Sequence, residues 1–368
     1  MKLHILSENL QKKVSLLQRG VSSKSQLPVL LNFLILAKNG TLILESTDLE
    51  IGIRIEIPAN IEEEGGVTVV ARKFVDLINS LPAGKITIQT NNSLLDVVST
   101  KTKSSFQTVP KEEFPTLYEN IGEEFIKMSL ENFVKNITPI VFAASFDTSR
   151  PALSGVLVEK AEKGILFVAT DGYRLSLRIY DEKIKDTKFI KPLLVPARLF
   201  KELSLIKDSQ DLKIFLSLET NQIVFNVDST TLVGRLIEAE YPPYQKIIPA
   251  SFQTRAIFDR EEFEKAIKIA SVFARDASNV VRLTFGKAML QVSANAPSVG
   301  ENVVEMEAVI EGAENQIAFN AKYLLDLLSA ISEERIIIEM VGPLSPGVFK
   351  LEKDPSFLHL IMPIRLQS

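Results

Sequence analysis

The chain of 368 residues contains no cysteine, which excludes disulfides and thiolate metal sites. Its two histidines, His4 and His359, lie far apart in sequence and offer little for a metal site or a Ser-His-Asp triad. No G-x-x-x-x-G-K-[ST] loop occurs, and no G-x-G-x-x-G follows a strand. No apolar run approaches the length of a membrane helix, about 18 residues or more. The opening Met1-Lys-Leu-His-Ile-Leu-Ser-Glu lacks the apolar region of a signal peptide. A soluble, cytoplasmic protein with no metal, no cofactor and no membrane partner is the expectation. The formal charge of −4 carries no global nucleic-acid signal, yet it leaves room for a local basic surface. Glu62-Glu63-Glu64 beside Gly65-Gly66 reads as a solvated loop.

What the chain does have is a sentence written three times. Val67-Thr-Val-Val-Ala-Arg-Lys-Phe-Val-Asp-Leu-Ile returns as Leu193-Leu-Val-Pro-Ala-Arg-Leu-Phe-Lys-Glu-Leu-Ser, and again as Ile317-Ala-Phe-Asn-Ala-Lys-Tyr-Leu-Leu-Asp-Leu-Leu. The shared alanines are Ala71, Ala197 and Ala321, offset by 126 and 124 residues. Solenoid units run only about 20–50 residues, so a whole domain is repeated here. Leu10, Phe133 and Phe263 open apolar helical stripes in the three copies. Thr47-Asp48 and Thr170-Asp171 follow a strand in the first two, where the third has Ala294-Asn295. An acid lies five residues after each alanine, as Asp76, Glu202 and Asp326.

Each copy opens with a helix, with Ser7, Ser129 and Asp259 as expected caps. A hairpin follows, turning at Asn39-Gly40 in the first copy. Another extended segment, the helix at the shared alanine and a run of strands complete the domain. The fold class is α+β: two helices on one face of an antiparallel sheet, in three tandem copies. The boundaries fall at 1–123, 124–251 and 252–368. Pro139, inside the second copy's first helix, predicts a bend or a restart.

The helices carry the functional clue. Two residues after each helix-one anchor stands Lys12, Lys135 or Lys265, and after each shared alanine stands Arg72, Arg198 or Lys322. Singly these read as solvated helix-face residues. Six basic residues of six, in a net-acidic chain, favour a shared positive face suited to duplex phosphates without base contacts.

Leu27-Pro-Val-Leu, Val70-Ala-Arg-Lys-Phe, Ala169-Thr-Asp-Gly-Tyr-Arg-Leu, Tyr241-Pro-Pro-Tyr, Phe319-Asn-Ala-Lys-Tyr-Leu-Leu-Asp-Leu-Leu and Met362-Pro-Ile-Arg-Leu occur in that order. With these motifs the whole chain resembles the bacterial DNA polymerase III beta subunit, the replication sliding clamp. The resemblance implies a head-to-tail homodimer, a ring of six clamp domains around double-stranded DNA, with no catalysis and no cofactor. It adds Lys24 and Arg150 to the DNA-contacting residues. It implies dimer contacts by Phe106 with Val272 and Phe273, with Lys73, Lys101 and Lys103 facing Glu301 and Glu305. It implies that the polymerase III alpha subunit, the clamp loader and other clamp-binding-motif proteins dock in a pocket. From the second domain that pocket takes Leu153, Thr170, Gly172, Tyr173, Arg174, Leu175, Pro242, Lys246 and Ile247. From the third it takes Asn320, Tyr323, Leu344, Leu360, Met362, Pro363, Ile364, Arg365 and Leu366. Lys246 and Tyr173 depart from the arginine and histidine frequent at these positions in the family. Physically the pocket reads as apolar (Leu153, Leu175, Pro242, Ile247, Leu360, Met362) with a polar rim, suited to a short peptide. On the residues alone, Leu153, Leu175 and Ile247 read as plain core rather than pocket, and Asp171-Gly172 as a tight turn.

Two other readings stand beside the clamp. A hydrolase or transferase built on Asp48 and Asp171 is disfavoured by Asn295 in the third copy. A triplicated scaffold without DNA is the other.

Overall fold

The computed structural model describes residues 1–22, 25–118, 121–147, 149–181, 191–207, 209–275 and 278–365. Its helices are α1 (Ser7–Gln18), α2 (Ala71–Ser80), α3 (Leu130–Val141), the short α4 (Pro151–Ser154), α5 (Ala197–Leu203), α6 (Arg260–Ala274) and α7 (Ala321–Ala330). Helices α2, α5 and α7 each begin on a shared alanine. The helix-one anchors Leu10, Phe133 and Phe263 are buried, as their spacing requires.

Compact units do not follow the three thirds of the chain. One unit comprises residues 1–134 and 198–236, the other 135–197 and 237–368, so the middle repeat contributes to both. The first unit contains a five-stranded sheet in the order Asn60–Glu63, Lys2–Leu6, Lys85–Asn91, Leu94–Val98, Lys103–Gln107. Its nine-stranded sheet continues from first-repeat strands into second-repeat strands where Ile51–Pro58 pairs antiparallel with Thr230–Arg235. Phe33, Phe74 and Phe106 stack in sequence at 6.3 and 6.0 Å within its core. The second unit repeats the plan. Its nine-stranded sheet passes from second-repeat to third-repeat strands where Arg174–Tyr180 pairs with Phe357–Ile361, and a four-stranded sheet ends at Gly300–Glu307.

Local chemistry explains most elements. Asn39 and Gly40 both take positive φ, 51° and 73°, as a two-residue hairpin turn requires. Asp259 caps α6 by accepting from the Glu262 amide at 2.8 Å, and Ser129 accepts from the Asn132 amide at 3.4 Å. Ser7 departs from expectation. It is the first residue of α1 rather than its cap, and its hydroxyl donates to the Pro82 carbonyl at 2.8 Å. Pro139 lies in the last turn of α3, which runs on as one element to Val141; near a terminus the missing N–H removes a single bond and no restart follows. Glu62 and Glu63 belong to a strand paired with Lys2–Leu6 rather than to a loop. Hydrogen bonds from Lys2 and His4 hold the Glu62 carboxyl down to about 2.

Candidate functional site

A tight turn begins the site. Thr170 Oγ1 donates to the Arg174 carbonyl at 2.6 Å and accepts from the Gly172 amide at 3.0 Å. Asp171 Oδ1 accepts from the amides of Tyr173 and Arg174 at 2.9 and 3.0 Å. Gly172 sits at φ 92°, where a side chain would be strained. The first repeat builds the same turn. Thr47 Oγ1 donates to Ile51 at 2.8 Å, and Asp48 Oδ1 accepts from Glu50 and Ile51 at 3.1 and 2.9 Å. Asp48 and Asp171 are therefore occupied as turn-formers. In the third repeat Asn295 stays within the strand Met289–Ala296.

Arg174 follows the turn, and its place corrects the expectation of a polar rim. It is buried, with 6% of its side chain exposed. Its guanidinium meets Asp171 at 3.0 Å and Asp326 at 2.7 Å, and lies over the rings of Tyr323 (4.7 Å) and Phe142 (5.2 Å). Two carboxylates and two aromatic faces offset the desolvation of that charge. Leu175 and Leu360 pair across adjacent strands and are fully buried with Leu157, Val168, Leu194, Tyr244 and Val348. They form a floor, not a contact surface.

The exposed apolar residues stand above this floor. Tyr173 and Leu344 are each 61% exposed, Ile247 42% and Met362 37%. Pro242 and Lys246 are exposed and Leu153 half-buried. The Met362 amide donates to the Tyr173 carbonyl at 2.8 Å, and the Ile364 amide to Ala318 at 2.8 Å, which seats the half-buried Pro363 and Ile364. Asn320 is the cap of α7, accepting from the Lys322 amide at 2.9 Å. Arg365 is exposed; Leu366 lies outside the described residues. Pro242 also borders a cavity of about 260 Å³ under the Tyr241-Pro-Pro-Tyr244 segment. There the Tyr244 hydroxyl donates to Glu159 at 3.0 Å, and burial first, then Glu159, pushes its phenol up to about 12. Burial likewise raises Tyr241, so both remain neutral donors.

Ser176 and His359 lie 2.6 Å apart but are fully buried, so no substrate can reach them. Burial, then the nearby Arg174 charge, lowers the imidazole to about 3. Among the described residues no group of three or more His, Asp or Glu could hold a metal ion. No described helix is long and apolar enough to cross a membrane.

The basic columns divide. Lys12 on α1 and Arg72 on α2 are exposed, and the two helices are tied by Gln11 Nε2 donating to the Ile78 and Leu81 carbonyls at 2.9 Å. Lys265 on α6 and Lys322 on α7 are exposed in the second unit, where Arg260 donates to the Leu328 carbonyl at 3.4 Å. Lys135 and Arg150 are also exposed. Arg198 breaks the pattern. It is half-buried, paired with Asp48 and bonded to the Arg19 carbonyl, while Arg19 pairs with Glu202. Lys24 lies outside the described residues.

The residues expected at a subunit contact flank two sheet edges. Lys103–Gln107 ends the five-stranded sheet and Gly300–Glu307 the four-stranded one. Phe106 is half-buried on Phe74, and Lys103 pairs with Asp96 at 3.2 Å. Lys73, Lys101, Glu301 and Glu305 are exposed, Val272 is 60% exposed and Phe273 half-buried. The Asp326 and Phe142 partners of Arg174 lie far from it in the chain and are not legible in the sequence. The recurring acid of the second helix was the one available signal.

Three models for the DNA polymerase III beta subunit match consecutive segments: the N-terminal domain at residues 1–118, the central domain at 127–243 and the C-terminal domain at 245–365. A beta sliding clamp of Staphylococcus aureus is 30% identical over 358 residues, 94% of each chain. Among solved structures, the DNA polymerase sliding clamp of Bacillus subtilis superposes with a TM-score of 0.92 at 28% identity, covering 100% of both chains. A sliding clamp from Pseudomonas aeruginosa bound to griselimycin gives 0.90 at 26%, with the same coverage.

Proposed function

The chain belongs to the DNA polymerase III beta subunit family, and from that premise we infer how its surfaces divide the work of a sliding clamp. It is a non-catalytic processivity factor. It encircles duplex DNA and tethers the replicative polymerase and other replication and repair proteins. Topology rather than affinity prevents escape from the duplex, so weak phosphate contacts suffice and permit sliding.

The ring closes as a head-to-tail homodimer. The observation that supports this is a pair of matched sheet edges, unpaired among the described residues. Inside the chain, Ile51–Pro58 meets Thr230–Arg235 with Ile51 opposite Gly234, and Arg174–Tyr180 meets Phe357–Ile361 with Arg174 opposite Ile361. The third repeat's counterpart of the first partner is Gly300–Glu307, and the first repeat's counterpart of the second is Lys103–Gln107; both are edges. Carrying the internal register across sets Glu301 opposite Phe106 and Val303 opposite Ser104 of the other subunit. Glu305 then comes near Lys103, and Val272 and Phe273 near Phe106. A heterologous contact repeated with rotation closes into a ring. Domains 1–123, 124–251 and 252–368 of two chains make its six parts.

Lys12, Arg72, Lys135, Arg150, Lys265 and Lys322 face the duplex, and Arg198 contributes only what Asp48 leaves of its charge. The polymerase III alpha subunit, the clamp loader and other motif-bearing proteins dock on Tyr173, Pro242, Ile247, Leu344 and Met362. Exposed apolar side chains above a rigid floor suit a short exchangeable peptide. The protein works in the cytoplasm. Loading onto nicked circular DNA by a clamp loader with ATP tests the whole reading. Retention should disappear on linearising the circle; equal retention on linear DNA would contradict encirclement.

A further inference from the structure

The first unit holds a cavity lined by none of the residues assigned to DNA, partner or subunit contacts. It measures about 640 Å³ and lies beside the segment 111–116, between Leu34 and Leu36 on one side and Phe114 and Pro115 on the other. Strand register identifies its counterpart in the second unit. Leu34 pairs with Glu45, which pairs with Arg54; Leu157 pairs with Val168, which pairs with Leu177. Where the second unit has an apolar Leu-Val-Leu row, the first therefore places an acid and a base.

Glu45 is 7% exposed and still lines the open cavity. A carboxylate in that position is costly unless it is fully partnered. Arg54 does not partner it fully. Arg54 gives Glu45 one nitrogen at 3.1 Å, while Nε and Nη2 serve Glu56 at 2.9 and 2.8 Å. Burial consequently raises the Glu45 carboxyl above its usual range. At the rim, Lys38 and Lys111 balance Glu64 and Glu112, which leaves two carboxylates, Glu45 and Glu56, sharing the single charge of Arg54.

We propose that this cavity takes one basic side chain, lysine or arginine, from an extended segment of a partner protein. The aliphatic stem lies between Leu36 and Pro115, and the cationic head completes the partnering of Glu45. Long basic side chains combine an apolar stem with a charged tip, the same combination the cavity presents in reverse. The site is independent of the pocket around Tyr173 and Met362.

The probe is a fluorescein-labelled Ala-Leu-Arg-Pro-Leu-Ala peptide, with a version carrying glutamine in place of arginine. In anisotropy titrations of the full chain, the arginine peptide should bind at least about tenfold more tightly, as a charged hydrogen bond to a buried carboxylate allows. Glu45→Gln should abolish that preference. Because it alters a buried ion pair, Thr116→Trp at the exposed rim serves as the second variant and should weaken the arginine peptide alike. Equal affinities of the two peptides, a preference that survives Glu45→Gln, or no saturation at millimolar peptide would each overturn the proposal. Loss of binding in a Tyr173→Ala protein would place the peptide in the other pocket and overturn it too.

Discussion

The Met362 amide donates to the Tyr173 carbonyl at 2.8 Å, and the Arg235 amide donates to the Glu50 carbonyl at 3.0 Å in the same relation. One backbone bond thus recurs where consecutive repeats share a sheet. At the second junction it presents Tyr173 and Met362, both apolar and exposed; at the first it presents Glu50 and Arg235. The scaffold is repeated, and the side chains above it differ: an aromatic ring and a thioether at one junction, an acid and a base at the other.

Truncating the exposed side chains should therefore separate binding from folding. Tyr173→Ala or Met362→Ala should each weaken a glutamine-led peptide with leucine and an aromatic end about tenfold, since a partly exposed anchor supplies roughly 1–2 kcal/mol. Leu175→Ala should instead cost about 2–5 kcal/mol of stability, because it empties a fully buried site. Anisotropy titration and urea unfolding measured on the same proteins distinguish the two.

Removing Arg174 should be more damaging than its place beside a pocket suggests. Arg174→Ala leaves Asp171 and Asp326 without their shared cation and should cost about 3 kcal/mol. Arg174→Lys should rescue only part, since an ammonium cannot reach both carboxylates in one plane. A double-mutant cycle with Asp326→Asn measures the coupling; additive effects would show that the 2.7 Å pair carries no energy of its own.

The sheet-edge pairing makes a simple demand. Phe106→Asp together with Val272→Asp should yield monomers in sedimentation velocity at micromolar protein, with unchanged circular dichroism. A persistent dimer would move the interface elsewhere.

Charge reversal on the helices should act through salt. Lys12→Glu with Arg72→Glu, or Lys265→Glu with Lys322→Glu, should lower the slope of log affinity against log salt by about 0.9 for each phosphate no longer neutralised. Arg198→Glu should behave differently, costing stability by placing a second acid against Asp48. Identical slopes in all variants would reduce these residues to solvated surface.

Acid should destabilise the protein through His359. Its folded-state pKa of about 3 lies below the ordinary 6.5, so the unfolded chain binds the proton first. The stabilising contribution is fully present above about pH 6.5 and is lost as pH falls toward 3, at up to about 1.4 kcal/mol per pH unit. Between pH 7 and 5 that is a loss of about 2 kcal/mol. Urea midpoints should show it, and His359→Leu should remove that part of the pH dependence.

The sequence by itself determined the repeat, its two helices per copy and its basic columns, because these rest on short-range chemistry. The apolar spacing of Leu10, Val14 and Leu17, the alanine that begins α2, α5 and α7, and the Asn39-Gly40 turn act over a few residues. The family motifs are legible for the same reason. Tertiary structure alone decided which of those residues are available. Arg198 and Lys322 occupy the same column, but Asp48, 150 positions away in the chain, pairs with Arg198, while Lys322 stays exposed. Leu175 and Met362 look like equal pocket residues in the sequence; cross-strand pairing with Leu360 buries the first and leaves the second at the surface. Strand pairing joins residues far apart in sequence, and a sheet's register sets which side chains face water. No local pattern carries that information, and for the same reason the two compact units cut through the middle repeat instead of following it.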